Sequence, residues 1–143
     1  MKFHNIRTPR TGTPLAEMVV GSTQIDLHSK LQFIGLTLGA DDGMMTLGWA
    51  VIAEVLVVRG AQVLPLDGLA LQFSGLTRIE MSFTAKEPGA LEYYELEAGR
   101  EGALRLHFEG GTMRIVAREC RGELLFGEEA EEPDGQDGPL SIQ

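Results

Sequence analysis

From Ala103 to Cys120, apolar and polar residues alternate with a period of two on both sides of a Gly110-Gly111 pair. Leu104, Leu106 and Phe108 alternate with Arg105, His107 and Glu109, and Met113, Ile115 and Ala117 alternate with Arg114, Val116 and Arg118. Such a period puts every second side chain on one face of a strand, so the segment folds as a β-hairpin with one apolar face. With Gly110-Gly111 as a two-residue loop, Phe108 faces Met113, Leu106 faces Ile115 and Leu104 faces Ala117. A register slipped by two would set Arg105 directly against Arg114, a like-charge pair that destabilises a sheet, and the Gly-Gly register is the expectation.

The same pattern recurs along the chain. Asp42-Gly43 suits a tight turn and would pair Leu38 with Leu47, Leu36 with Trp49 and Ile34 with Val51. The other face of that hairpin holds only small residues, among them Gly35, Thr46, Gly48 and Ala50, and glycines inside strands often mark bulges. Val51 to Val58 is rich in β-branched residues but changes parity near Ile52, which implies a bulge or a break. Leu69, Leu71 and Phe73 alternate, as do Ile79, Met81 and Phe83, and Ser74-Gly75-Leu76 between them fits a three-residue hairpin loop. Gln24 to Leu31 and Leu124 to Phe126 are weaker strands. Ala90 to Ala98 is the one segment that suits a short helix, because Pro88 could open it, Gly99 could close it, and Leu91, Tyr94 and Ala98 would share a face. The fold class expected is therefore all-β, an antiparallel β-sandwich or barrel-like sheet of about eight to ten short strands, with that one helix near 90–98.

A length of 143 residues suits one domain. Arg7 to Pro14, with two prolines and a glycine, predicts an N-terminal loop over residues 1–14, followed by a single β domain at 15–127. The net charge of −9 is unevenly spread: seven acids and no base follow Arg121, which leaves residues 1–121 at −2. Residues 128–143 combine that acidity with Pro133, Pro139 and few apolar anchors, and are expected to be a disordered acidic tail. With three lysines and an acidic balance, nucleic acid is not an expected partner. The longest apolar stretch, Leu47 to Val58, contains Glu54 and is too short for a membrane helix, and the first residues lack the apolar run of a signal peptide. A soluble, cytoplasmic protein is the expectation.

The residues that carry chemistry are sparse. His4, His28 and His107 show no metal-ligand spacing, no glycine-rich phosphate loop opens a helix, and no nucleophile elbow occurs, so neither a metal nor another cofactor is expected. Asp26 and His28 would share a strand face, a pattern that usually means a solvated surface. Two cations beside Cys120 could activate its thiol, but without a partner histidine it is better read as a small buried apolar residue. Asp41-Asp42 and Glu128-Glu129 have nothing near in sequence to raise a carboxyl pKa for acid catalysis.

What remains are surfaces. Arg105, His107, Arg114 and Arg118 line the polar side of the last hairpin, where they could hold an acidic protein surface or the chain's own tail. Tyr93 and Tyr94 are adjacent, so one ring must leave the core and offers a binding contact. The function expected is a non-enzymatic binding module that recognises a protein partner through a polar sheet face and loops. The alternatives are a small-molecule-binding barrel or an enzyme with dispersed active-site residues, and a structural subunit that pairs through a sheet edge as a homodimer. The arrangement of amphipathic strands without a catalytic constellation is loosely similar to small bacterial β-domains, including some immunity proteins that neutralise toxins, although no motif carries that similarity.

Overall fold

The computed structural model describes residues 1–39, 43–84 and 88–127. The described chain is all-β. Its twelve strands are β1 (Lys2–His4), β2 (Glu17–Val20), β3 (Thr23–Asp26), β4 (Leu31–Leu38), β5 (Met45–Val51), β6 (Leu56–Arg59), β7 (Gln62–Ser74), β8 (Arg78–Phe83), β9 (Leu91–Leu96), β10 (Leu104–Phe108), β11 (Gly111–Val116) and β12 (Glu119–Phe126). They are more numerous than the eight to ten expected, because β1, β2 and β6 are only three or four residues long. Asp41, Asp42 and residues 128–143 with their acidic run lie outside the described residues.

A six-stranded sheet runs β1-β12-β7-β5-β4, with β6 paired to the first part of β7, and a four-stranded sheet runs β8-β11-β10-β9. The alternation read from the sequence supplies the facing layers. Met45, Leu47, Trp49, Leu69, Leu71, Phe73 and Cys120 point inward from the large sheet, and Leu104, Leu106, Phe108, Met113 and Ile115 from the small one, all buried. Aromatic rings join the layers: Phe33 lies 5.2 Å from Trp49 edge-on and 5.0 Å from Phe108. The β2–β3 hairpin adds Met18, Val20 and Ile25 to the same buried cluster.

Several local expectations are corrected. Residues 1–14 are not simply loop: β1 runs parallel to β12, with Lys2 opposite Glu119, and Ile6 bridges Val20. The helix near 90–98 is strand β9. A bulge between His107 and Phe108 brings Leu91 opposite Phe108 and Tyr94 opposite Leu106, so residues three apart both face the core and imitate helical spacing. The expected hairpin of β7 with β8 does not form. β7 pairs with β12 and β5, β8 pairs with β11, and Ser74 to Thr77 crosses from one sheet to the other.

Both predicted hairpin registers slip by two or three. In the β4–β5 pair, Leu36 faces Leu47 and Leu38 faces Met45, and a bulge between Phe33 and Gly35 then sets Phe33 opposite Trp49. That bulge turns Phe33 inward and leaves Ile34 exposed. In the β10–β11 pair, Leu106 faces Met113 and Arg105 faces Arg114. The two glycines divide the work. Gly110 adopts a φ of 91°, whereas Gly111 lies in strand β11, where an added Cβ would sit 2.0 Å from the Phe83 ring. Packing of β8 on β11 thus requires a glycine that the turn does not use. The break expected near Ile52 is present, between the end of β5 at Val51 and the start of β6 at Leu56.

Candidate functional site

The outer face of the small sheet carries most of the residues expected to meet a partner. Arg105 and Arg114, side by side on β10 and β11, share the carboxylate of Glu97: Arg105 pairs with it, and Arg114 Nε donates to both oxygens at 3.0 Å. Arg114 also donates to Glu101 at 2.9 Å, and Arg78 reaches the same carboxylate at 3.3 Å. Glu80 adds a looser contact with Arg114 at 3.8 Å. These acids explain how the disfavoured Arg–Arg register is tolerated, since the like charges meet through shared carboxylates. Hydrogen bonds to Glu101 and Glu97 hold the Arg114 guanidinium above its usual pKa, and the bond from Arg114 lowers that of Glu101.

His107 stands opposite Tyr93 and Thr112, with its ring stacked on Tyr93 at 4.2 Å and 19° between planes. Glu95 lies 3.7 Å from its Nε2. Burial, then the neighbouring Arg105, lowers the His107 pKa below its ordinary value. Of the six residues expected at a site, Arg105, His107, Arg114 and Tyr93 are therefore brought together, and Arg118 and Tyr94 are not. Arg118 follows β11 as an exposed residue whose stem lies over Gly75. Tyr94 is buried and donates its hydroxyl to the Glu17 carbonyl at 2.7 Å. The expected cationic surface is in fact a network in which Arg105, Arg114 and Arg78 are matched by glutamates.

A concave site lies elsewhere, under the segment from Arg7 to Pro14. This strap is tied down at both ends. Arg7 N–H donates to the Val19 carbonyl at 2.9 Å, Gly12 N–H to Leu96 at 2.8 Å, and Leu15 exchanges backbone bonds with Tyr94 at 2.9 and 2.8 Å. Between the ties, Thr13 N–H closes a turn on the Arg10 carbonyl, and Pro9 is buried. Strap, β2 and β9 enclose a cleft of about 420 Å³, large enough for a small ligand or a few residues of peptide. Leu15, Val19 and Tyr94 contribute its apolar surface, and Arg7, Thr8, Arg10, Thr13, Glu17 and Gln24 its polar groups. Among the described residues neither Arg7 nor Arg10 forms an ion pair.

Burial, followed by the charge of Glu17, pushes the Tyr94 phenol up to about 12, so it remains a proton donor at neutral pH. The Glu17 carboxylate is engaged by the Gln24 amide. Histidine and cysteine do not line the cleft, whose polar groups are two guanidinium groups, two threonine hydroxyls, the Gln24 amide and the Glu17 carboxylate. The sequence reading missed Arg7 and Arg10 because proline and glycine marked their segment as loop. The available signal was the spacing itself, two Arg-Thr pairs within five residues, which predicts cations and hydroxyls gathered on one loop.

The other sequence candidates resolve as structural parts. β3 ends at Asp26, whose carboxylate accepts the His28 and Ser29 N–H groups and the Ser29 hydroxyl, so it caps a turn. The Ser29 hydroxyl bond holds the Asp26 pKa below its usual range. His28 turns away through Nδ1 to the Leu91 carbonyl at 2.9 Å. Cys120 is buried in the core, and burial pushes its thiol up to about 12. No group of three His, Cys, Asp or Glu gathers among the described residues in a way that could hold a metal, and among them there is no helix long and apolar enough to cross a membrane. No family model matches the chain, and no curated protein or solved structure matches it.

Proposed function

We propose that this chain is a non-enzymatic binding module that holds an anionic group of a protein partner, a carboxylate or a phosphate, in the strap cleft. One observation carries the reading: Arg7 and Arg10 have no ion-pair partner among the described residues and border a cleft with an apolar floor, whereas Arg105 and Arg114 are neutralised by Glu97 and Glu101. A guanidinium is a bidentate donor for carboxylate and phosphate, and the threonine hydroxyls and the Gln24 amide extend the donor set. The apolar floor suits the stem that carries the anion. A cytoplasmic setting accords with one cysteine that is buried as a free thiol.

Amide-resolved NMR titration of the full chain with inorganic phosphate, and separately with a glutamate-rich peptide, tests the reading. Saturable shifts at Arg7, Arg10, Thr13 and Gln24 are expected, weakening as salt rises. The Arg7→Gln, Arg10→Gln double variant should bind about tenfold more weakly, in line with the loss of charge-assisted hydrogen bonds. Phosphate-only binding would identify a phosphate-bearing partner, and peptide-only binding an acidic segment. Shifts confined to the Arg105–Arg114 face, or unchanged affinity in the double variant, would return the site to the small sheet.

A further inference from the structure

The strap cleft carries an excess of positive charge that its own walls do not balance. Arg7 and Arg10 meet a single carboxylate among the lining residues, Glu17, and the Gln24 amide already engages it. Among the described residues, the other cationic side chains without an ion pair stand beside acids or an aromatic ring. Lys2 lies opposite Glu119, Arg121 shares the outward side of β12 with Glu123, and Lys30 borders a depression with Asp26 and Glu54. Arg100 and Arg118 are each followed by a glutamate, and Arg59 lies over the Phe126 ring at 4.8 Å. Residues 128–143 hold the complementary charge, six acids and no base. The fold brings their point of attachment close to the cleft. β1 runs parallel to β12, so the chain entering the strap and the chain leaving β12 travel the same way. Ile6, next to Arg7, sits over Gly122, where an added Cβ would meet its Cγ1 at 2.5 Å. From Gly122 to Gly127 is ~17 Å of strand, whereas residues 128–143 reach about 55 Å when extended.

We infer, on the reading of the cleft as a partner's anion site, that residues 128–143 dock in the cleft of their own chain and compete there with that partner. Their carboxylates are the groups that a guanidinium takes in bidentate fashion. Leu140 and Ile142 give the same segment two aliphatic side chains for the floor of Leu15 and Val19. Tethering makes the competition effective, because a segment on a short connection acts at an effective concentration on the order of millimolar. The Arg105–Arg114 pair is a poorer place for these acids, since Glu97 and Glu101 already hold its guanidinium groups.

A spin label attached through Gln136→Cys in the full chain tests this by NMR, because Cys120 is buried and stays unlabelled in the native state. At low salt the label should broaden the amides of Arg7, Arg10, Thr13 and Gln24. Added salt should relieve the broadening, and so should Arg7→Gln with Arg10→Gln. A full chain whose six acids from Glu128 to Asp137 are replaced by their amides should bind a glutamate-rich peptide at least about threefold more tightly than the parent. No broadening at the cleft, or broadening centred on Arg105 and Arg114 or on Lys2 and Arg121, overturns the inference. Broadening that fades on dilution overturns it too, since the cleft occupied would be another copy's. Equal, measurable peptide affinity in the two chains removes the competition. Should neither chain bind the peptide, the reading of the cleft as a partner site fails, and the broadening alone decides whether the segment docks.

Discussion

The two outer faces of this sandwich are built on the same alternation and end in opposite chemistry. On the small sheet, the positions between buried apolar residues hold Arg105 and Arg114, joined through Glu97, with Glu101 on Arg114 and Glu95 beside His107. On the large sheet the equivalent positions of β4, β5 and β7 hold glycine, alanine, threonine, glutamine and exposed aliphatics, and charges appear outward on β12 as Arg121 and Glu123. The inner layers are alike because burial demands the same residues on both sheets, so they report the fold. The outer layers are free of that demand, and it is there that the two sheets diverge.

The largest expected effect strikes the layer that both faces share. Trp49 is 1% exposed and packs edge-on against Phe33, and Trp49→Ala should cost about 3–5 kcal/mol in chemical denaturation. A loss below about 1 kcal/mol would mean that the large sheet is not seated through this ring. Next comes Gly111→Ala, which forces a methyl group into the Phe83 ring and should cost about 1–3 kcal/mol. Neutrality there would show that β8 is not clamped on β11, and the small face would lose its fourth strand. Tyr94→Phe removes the bond to the Glu17 carbonyl and should cost about 1 kcal/mol, with faster amide exchange at Leu15 and Gly12.

The smallest effect is a pH dependence confined to the polar face. The His107 pKa is lowered in the fold, so the unfolded chain binds the proton more readily. Stability from this group is present above its unfolded pKa of about 6.5 and is lost as pH falls through the folded value. Replacing His107 with Gln should flatten the melting temperature below that pH, and an unchanged acid slope would assign the dependence to other groups. Cys120 serves as a control on the shared layer: its buried, protonated thiol should resist alkylation in the native state and react on unfolding.

The sequence made the all-β class and most of the inner layer legible, because Leu69, Leu71, Phe73, Leu104, Leu106 and Ile115 obey a period of two without interruption. It misled wherever a bulge broke that period. Leu91 and Tyr94 look helical because the β9 strand gains a residue between them, and Ile34 looks buried because the β4 bulge reverses its parity. Register was misjudged at Arg105 and Arg114 because the cost of their pairing depends on Glu97 and Glu101, which only the fold brings within reach. Strand partners more than about thirty residues apart, such as β7 with β12, leave no local trace at all. For the site, proximity of cations in one hairpin was visible, but their neutralisation was not, and Arg7 and Arg10, which form no ion pair among the described residues, lay in a segment that local propensity marks as loop.

The parallel pairing of β1 with β12 bears on the order of events during synthesis. Lys2 meets Glu119, and the Asn5 side chain donates to the Gly122 carbonyl across 117 positions. Contacts this remote in sequence carry the largest loop-closure entropy and cannot form until β12 has left the ribosome. The strap that follows β1 is held at its near end by β2, through Arg7 and the Val19 carbonyl, and at its far end by β9. The residues that wall the cleft are therefore all synthesised before β12 emerges, whereas the large sheet gains its β1–β12 edge last.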